Sequence, residues 1–129
     1  MISAYNVAII AAGVFFLNGL LTGVWKYRQI VSSENALAHP YVDIAHRASL
    51  LYSFAAILLA VFVDISQLSS GIELLAMSSL ILYFTIAIVS YMMLGLSQKT
   101  DNQFKHPSGT LTLAMWSLIA AEIGGFLVL

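Results

Sequence analysis

The sequence predicts an all-α integral membrane protein, a single domain over residues 1–129 built as an antiparallel four-transmembrane-helix bundle. Three observations predict it. Hydrophobic residues make up 60% of the chain and charged residues 9%, against roughly 25% charged in soluble domains, too few to cover a water-soluble surface. Four segments, about 5–25, 45–64, 72–97 and 109–129, each supply the ~20 mostly apolar residues that a span needs. The connectors between them are short, which favours up-down neighbours.

The opening MISAYNVAII lacks the basic leader region of a signal peptide and reads as the start of the first transmembrane helix. KYRQIVSSENALAHPYVD is a polar connector, and Pro40 suits the first turn of the second helix. Ser70 and Glu73 have capping-box spacing at the start of the third span. That span is roughly 40 Å long at 1.5 Å per residue, more than the hydrocarbon needs, and so tilts or projects. SQKTDNQFKHPSG separates it from the fourth.

Lys26, Arg28 and Arg47 flank the first connector, and Lys99 and Lys105 lie in the third. The middle connector carries only Asp64 and Glu73. All five basic residues therefore fall on one side. By the positive-inside rule that side is cytoplasmic and both termini face outward. A bacterial or archaeal inner membrane is the expected location.

Several function classes are excluded. Without cysteine there is no disulfide, thiolate metal site or cysteine nucleophile. A net charge of -1 argues against nucleic acid, which needs a basic stripe. The histidines His39, His46 and His106 do not make a zinc site, which takes three or four ligands. His39 and His46 would stand about 10 Å apart on a straight helix.

Polar residues inside the spans mark inward faces. Ser79, Tyr83, Ser90 and Ser97 align on span three at helical spacing, and His46, Ser49 and Ser53 on span two. Span one offers Asn18 and Thr22 beside Gly19 and Gly23, a small-xxx-small pattern that packs helices. Asn18, Tyr83 and Tyr91 have the bulk to line a polar cavity. In span four, Glu122 stands about 10 Å inside the C-terminal end, nearer the outer face and away from His46. A carboxylate there costs a few kcal/mol. It is a protonated acid hydrogen-bonded to a neighbouring helix or one that reaches the interface, or else a contact for a proton or substrate.

Asp43 and Arg47 stand at i and i+4, a helix ion pair at the mouth of span two. His46 between them has two readings. One is an interfacial histidine bonded to a carbonyl or to Asp43. The other is an axial ligand to haem iron, with propionates near Arg47, Lys26 and Arg28.

FLNGLLTGVW (16–25), AHRASLLYSF (45–54) and SYMMLGLS (90–97) resemble segments of the small four-helix membrane isomerases that include styrene oxide isomerase and hydroxylaminobenzene mutase. The resemblance implies a homotrimer carrying haem b between neighbouring subunits. His46 matches the metal ligand, with Arg47 near the cofactor. Tyr91, and with it Tyr83, would shape a pocket for a small apolar substrate such as an epoxide, isomerised to an aldehyde by ferric Lewis-acid chemistry. The sequence departs from that family at one place. The family's asparagine, about six residues after the histidine, has no counterpart in Leu51-Tyr52-Ser53. Tyr52 also leaves the His46 face of a regular helix. Two other classes remain open: a non-catalytic subunit of a larger membrane complex, and a small transporter or proton path using Glu122.

Overall fold

Each apolar segment forms one helix. The computed structural model describes residues 2–129, and its elements are α1 (Ala4–Ser32), α2 (Pro40–Ile65), α3 (Ser70–Ser97) and α4 (Gly109–Val128), with no strand among those residues. All four are long and apolar enough to cross a membrane.

Helix ends follow local chemistry. Pro40 opens α2, and His39 caps it by accepting the Tyr41 N–H on Nδ1 at 3.2 Å. Ser108 Oγ caps α4 through the Leu111 N–H at 3.1 Å. The Ser70–Glu73 capping box does not form. Ser69 is the cap residue of α3 and its side chain makes no capping bond, so Glu73 falls one position too late. Helix α1 runs on past residue 25 through Lys26, Arg28 and Gln29, because long polar side chains propagate a helix well once it leaves the hydrocarbon.

Successive helices pair antiparallel. Gly19 meets Leu50 while Gly23 meets His46, and Tyr52 stacks on Phe84 while Val42 meets Gly95. Tyr83 bonds Ser117 and Leu80 meets Gly125. The first and third connectors, with all five basic residues in or beside them, therefore share one end of the bundle.

The four helices are not equivalent. The contact between α1 and α2 is the most extensive, and α3 packs across both. Helix α4 lies chiefly along α3 and contains no buried residue. The core is apolar and alanine-rich on α1 (Ala4, Ala8, Ala11, Ala12), facing Ala56, Leu59 and Ala60 of α2 and Met77, Leu80 and Phe84 of α3. Small side chains let these backbones approach, which is where membrane helices gain van der Waals contact. Toward the basic end the packing turns polar.

The serine stripe of α3 does not face this core. Its buried face is Met77, Leu80, Phe84 and Ile88, whereas Ser90 and Ser97 are exposed. Tyr83 turns to α4, where its hydroxyl lies 2.6 Å from Ser117 Oγ. Alignment at helical spacing identified a common face correctly, but that face meets the peripheral helix.

At Gly95 three helices converge. A Cβ there would stand 2.9 Å from Val42 Cγ2, 3.2 Å from the Val42 backbone nitrogen and 3.2 Å from Trp25 Cη2. Gly95→Val should cost about 1–3 kcal/mol by overpacking, measured by denaturant titration of helicity in detergent. Gly13→Ala, where a Cβ meets nothing within 4 Å, should not lower the midpoint. Equal midpoints for the two variants would contradict this packing.

Candidate functional site

The polar half of the bundle is organised around the seam between α1 and α2. His46 and Leu50 are one turn apart on α2, and Gly23 and Gly19 one turn apart on α1. A Cβ on Gly23 would lie 2.9 Å from His46 Cε1 and 3.1 Å from Nδ1. The imidazole thus lies close against the α1 backbone, in space that a side chain at position 23 would fill. A Cβ on Gly19 would likewise meet Leu50 Cδ2 at 2.6 Å.

This seat fixes the ring's chemistry. His46 Nδ1 stands 2.7 Å from the Gly19 carbonyl oxygen. A carbonyl only accepts, so Nδ1 carries the proton and donates. In the neutral ring the lone pair is then on Nε2, which has no hydrogen-bond partner among the described residues and is not sealed from the surroundings. Thr22 Oγ1 donates to the Asn18 carbonyl at 2.7 Å and to the Gly19 carbonyl at 3.1 Å, so the second lone pair of that carbonyl is also engaged.

Asn18 ties the three core helices. Its Nδ2 donates to Ser49 Oγ at 2.9 Å and to Met92 Sδ at 3.5 Å. Ser49 Oγ passes its own proton to the Ala45 carbonyl at 2.7 Å. Interhelical bonds of this kind average about 0.6 kcal/mol in membranes.

At the mouth of the seam, Asp43 receives two cations. Lys26 Nζ reaches Oδ1 at 2.6 Å and Arg47 reaches Oδ2 at 2.9 Å. The Arg47 pair is the expected i, i+4 contact. The Lys26 pair joins α1 to α2, and the sequence reading missed it; the signal was Lys26 one turn beyond Thr22 on the same inward face. Asp43 lies ahead of the apolar stretch that begins at residue 45. There the hydrogen bond from Lys26 leads in holding its carboxyl below the usual aspartate range, with smaller help from both charges, against a partial desolvation.

The proposed site residues divide into two groups. Arg47, whose side chain is 62% exposed, shares a pocket of about 250 Å³ with Tyr91, Tyr52, Ile44, Ala48 and Leu51. Tyr83 and Tyr91 line a second, also about 250 Å³, with Ser90 and Ser117. Tyr91 stacks on Tyr41, 6.1 Å between ring centroids. His46 lines neither pocket, because it faces α1 while the tyrosines lie on the α3 side of α2. Within one chain the histidine and the tyrosines are not brought together. Tyr52 stacks on Phe84 at 4.3 Å and so also faces α3.

Among the described residues no group of three or more His, Cys, Asp or Glu side chains could hold a metal ion. Any metal at His46 must therefore bring most of its own ligands, as haem iron does. The donor fits that role. A metal-bound histidine typically donates its other ring N–H to a carbonyl or carboxylate, which sets the tautomer and strengthens the ligand. The Gly19 carbonyl provides this.

Glu122 lies elsewhere, against Leu58, Leu59, Leu80 and Phe84. It shares none of the contacts of His46. Comparison with protein-family models, curated proteins and solved structures finds no match to this chain.

Two outcomes follow. Nitrogen NMR of histidine-labelled protein at alkaline pH should find His46 protonated on Nδ1 and bare on Nε2, and the reverse tautomer would contradict the seam geometry. Asp43→Asn should lower stability by less than about 1 kcal/mol, since its partners are partly solvated. Because the folded carboxyl titrates below the unfolded one, its contribution is present above the ordinary aspartate range and lost as pH falls through the folded value. The wild-type advantage in a detergent unfolding assay should thus fade below about pH 4.

Proposed function

We propose that this integral membrane protein binds haem b through His46 Nε2 at an interface between copies of itself, and that it is an isomerase acting on a small apolar substrate such as an epoxide. The observation that carries the reading is the His46 seat: Nδ1 bound to the Gly19 carbonyl at 2.7 Å, with Nε2 left for a ligand. The activity, the cofactor's identity and the trimer rest on the resemblance of 16–25, 45–54 and 90–97 to the membrane isomerases.

Bound ferric haem would supply a Lewis acid toward a substrate oxygen. The chain's residues do the rest. The Gly19 carbonyl orients the imidazole and raises its basicity. Lys26 and Arg47 hold Asp43, and the exposed guanidinium of Arg47 keeps donors free for a carboxylate group at the interface. Exposed Phe16, Leu20 and Phe54 near the same seam present an apolar surface that would exclude water once a second copy covers it. Since His46 and the tyrosines face opposite sides of α2, Tyr91 and Tyr83 would reach the cofactor from a neighbouring subunit. In this reading the basic end is cytoplasmic, both termini face outward, and the membrane is a bacterial or archaeal inner membrane.

A second reading, a non-catalytic subunit of a larger membrane complex, is favoured by α4, which has no buried residue and a free outer face.

Ultraviolet-visible spectra of protein expressed with supplied haem separate the two. Wild type should carry a Soret band, and His46→Ala should retain at least about tenfold less haem. Tyr91→Phe should keep the haem and alter turnover of an aryl epoxide. A wild type without a Soret band, purified with a stoichiometric partner, would replace the first reading with the second.

A further inference from the structure

Glu122 is the polar group that neither the fold nor the haem reading uses. It lies in a cavity of about 350 Å³ bounded by Ala55, Leu58 and Leu59 of α2, Leu80 and Phe84 of α3, and Phe126 of α4. Its Oε1 is enclosed and has no hydrogen-bond partner, alone in this among buried side-chain oxygens and nitrogens of the described residues. Both ion pairs among the described residues involve Asp43, at the basic end. The cavity itself holds no basic side chain.

The depth of the group sharpens the point. Phe84 is near the middle of α3 (Ser70–Ser97) and Ala55 within the central part of α2 (Pro40–Ile65), so the carboxyl is well inside the hydrocarbon. A carboxylate there is costly without a partner. Water is a poor candidate in a lining of aliphatic and aromatic side chains, because a buried water needs two or more polar contacts. A carboxyl in such walls is either protonated or paired with a cation, and the cation that suits these walls is one that carries its own apolar body.

The walls also suit a cation. Phe84 and Phe126 line the cavity, and aromatic rings attract a desolvated cation through their quadrupole. Phe62 meets Phe126 edge-on at 5.3 Å, joining α2 to α4 at the end of the chain. Elsewhere α4 follows α3 and makes no extensive contact with α2, so helix packing leaves the α2–α4 side of the cavity uncovered. The volume falls in the range of small-molecule pockets, roughly 300–1,000 Å³.

We propose that Glu122 and this cavity form a binding site for a monovalent lipophilic cation that enters laterally from the membrane. The site is separate from His46 and does not depend on the haem reading.

The test is equilibrium binding of labelled tetraphenylphosphonium to the purified full-length protein in detergent, with protein-free micelles as background. This probe has no titratable proton and an apolar body. Wild type should bind it saturably, and excess tetramethylammonium, which lacks the apolar body, should not displace it. Glu122→Gln should weaken binding at least about tenfold while His46→Ala leaves it unchanged. Ala55→Phe, which fills the cavity and keeps the carboxyl, should weaken it by a similar factor and stands in should Glu122→Gln fail to fold. No saturable binding to wild type overturns the proposal, as does wild-type affinity in Glu122→Gln or in Ala55→Phe.

Discussion

The closeness of α1 and α2 at Gly19 and Gly23 is the constraint on which the basic half of the bundle depends. A ring can donate to a backbone carbonyl on another helix only if nothing stands between, and any Cβ on Gly23 would occupy the space of His46. The same approach sets Asn18 within reach of Ser49 and Lys26 within reach of Asp43. Each contact is individually weak in a membrane. Together they fix a register in which His46 has one defined tautomer, and a ligand role for Nε2 needs that definition before it needs anything else.

The two bland accounts of this region turn out to be compatible with the chemical one. Gly19 and Gly23 are packing residues, as small-xxx-small patterns usually are, and His46 is bonded to a carbonyl, as interfacial histidines usually are. Yet a ring held this way is also what a proximal ligand requires, because only one nitrogen is used in holding it. The packing role therefore does not compete with ligation. It supplies the orientation that ligation would exploit, and the open question moves to the surface that faces Nε2.

Much of the fold was legible because the bilayer imposes a length. Four apolar runs of bilayer thickness, broken by polar segments, leave few alternatives to four helices. The basic residues on the first and third connectors were legible for the same reason, since alternation assigns those connectors to one end. Helix ends were less so. Lys26, Arg28 and Gln29 read as connector because they are polar, though polarity ends a span and not a helix. The face of α3 was misjudged for a related cause. Ser90 and Ser97 share a stripe with Tyr83, but a polar stripe does not reveal whether its partner is the core or a peripheral helix. The Lys26–Asp43 pair joins residues far apart in sequence, and such contacts appear only once the α1–α2 register is set.

Helix α2 is the wall that gives this small chain two chemical sides. Its residues 46, 49, 50 and 53 turn to α1, while 44, 48, 52 and 55 turn to α3 and α4, as a period of 3.6 requires. His46 and Glu122 are consequently separated by a helix and not merely by depth. A group bound at one would not touch the other within the same chain. Because α4 is held chiefly by Tyr83–Ser117 and by the fit of Gly125 against Leu80, the Glu122 side is the looser of the two. The α1–α2 seam holds its histidine by backbone contact, whereas the cavity behind α2 is bounded by a helix with no buried residue. Rigid presentation of a single donor belongs to the first side, and admission of a bulky apolar guest to the second.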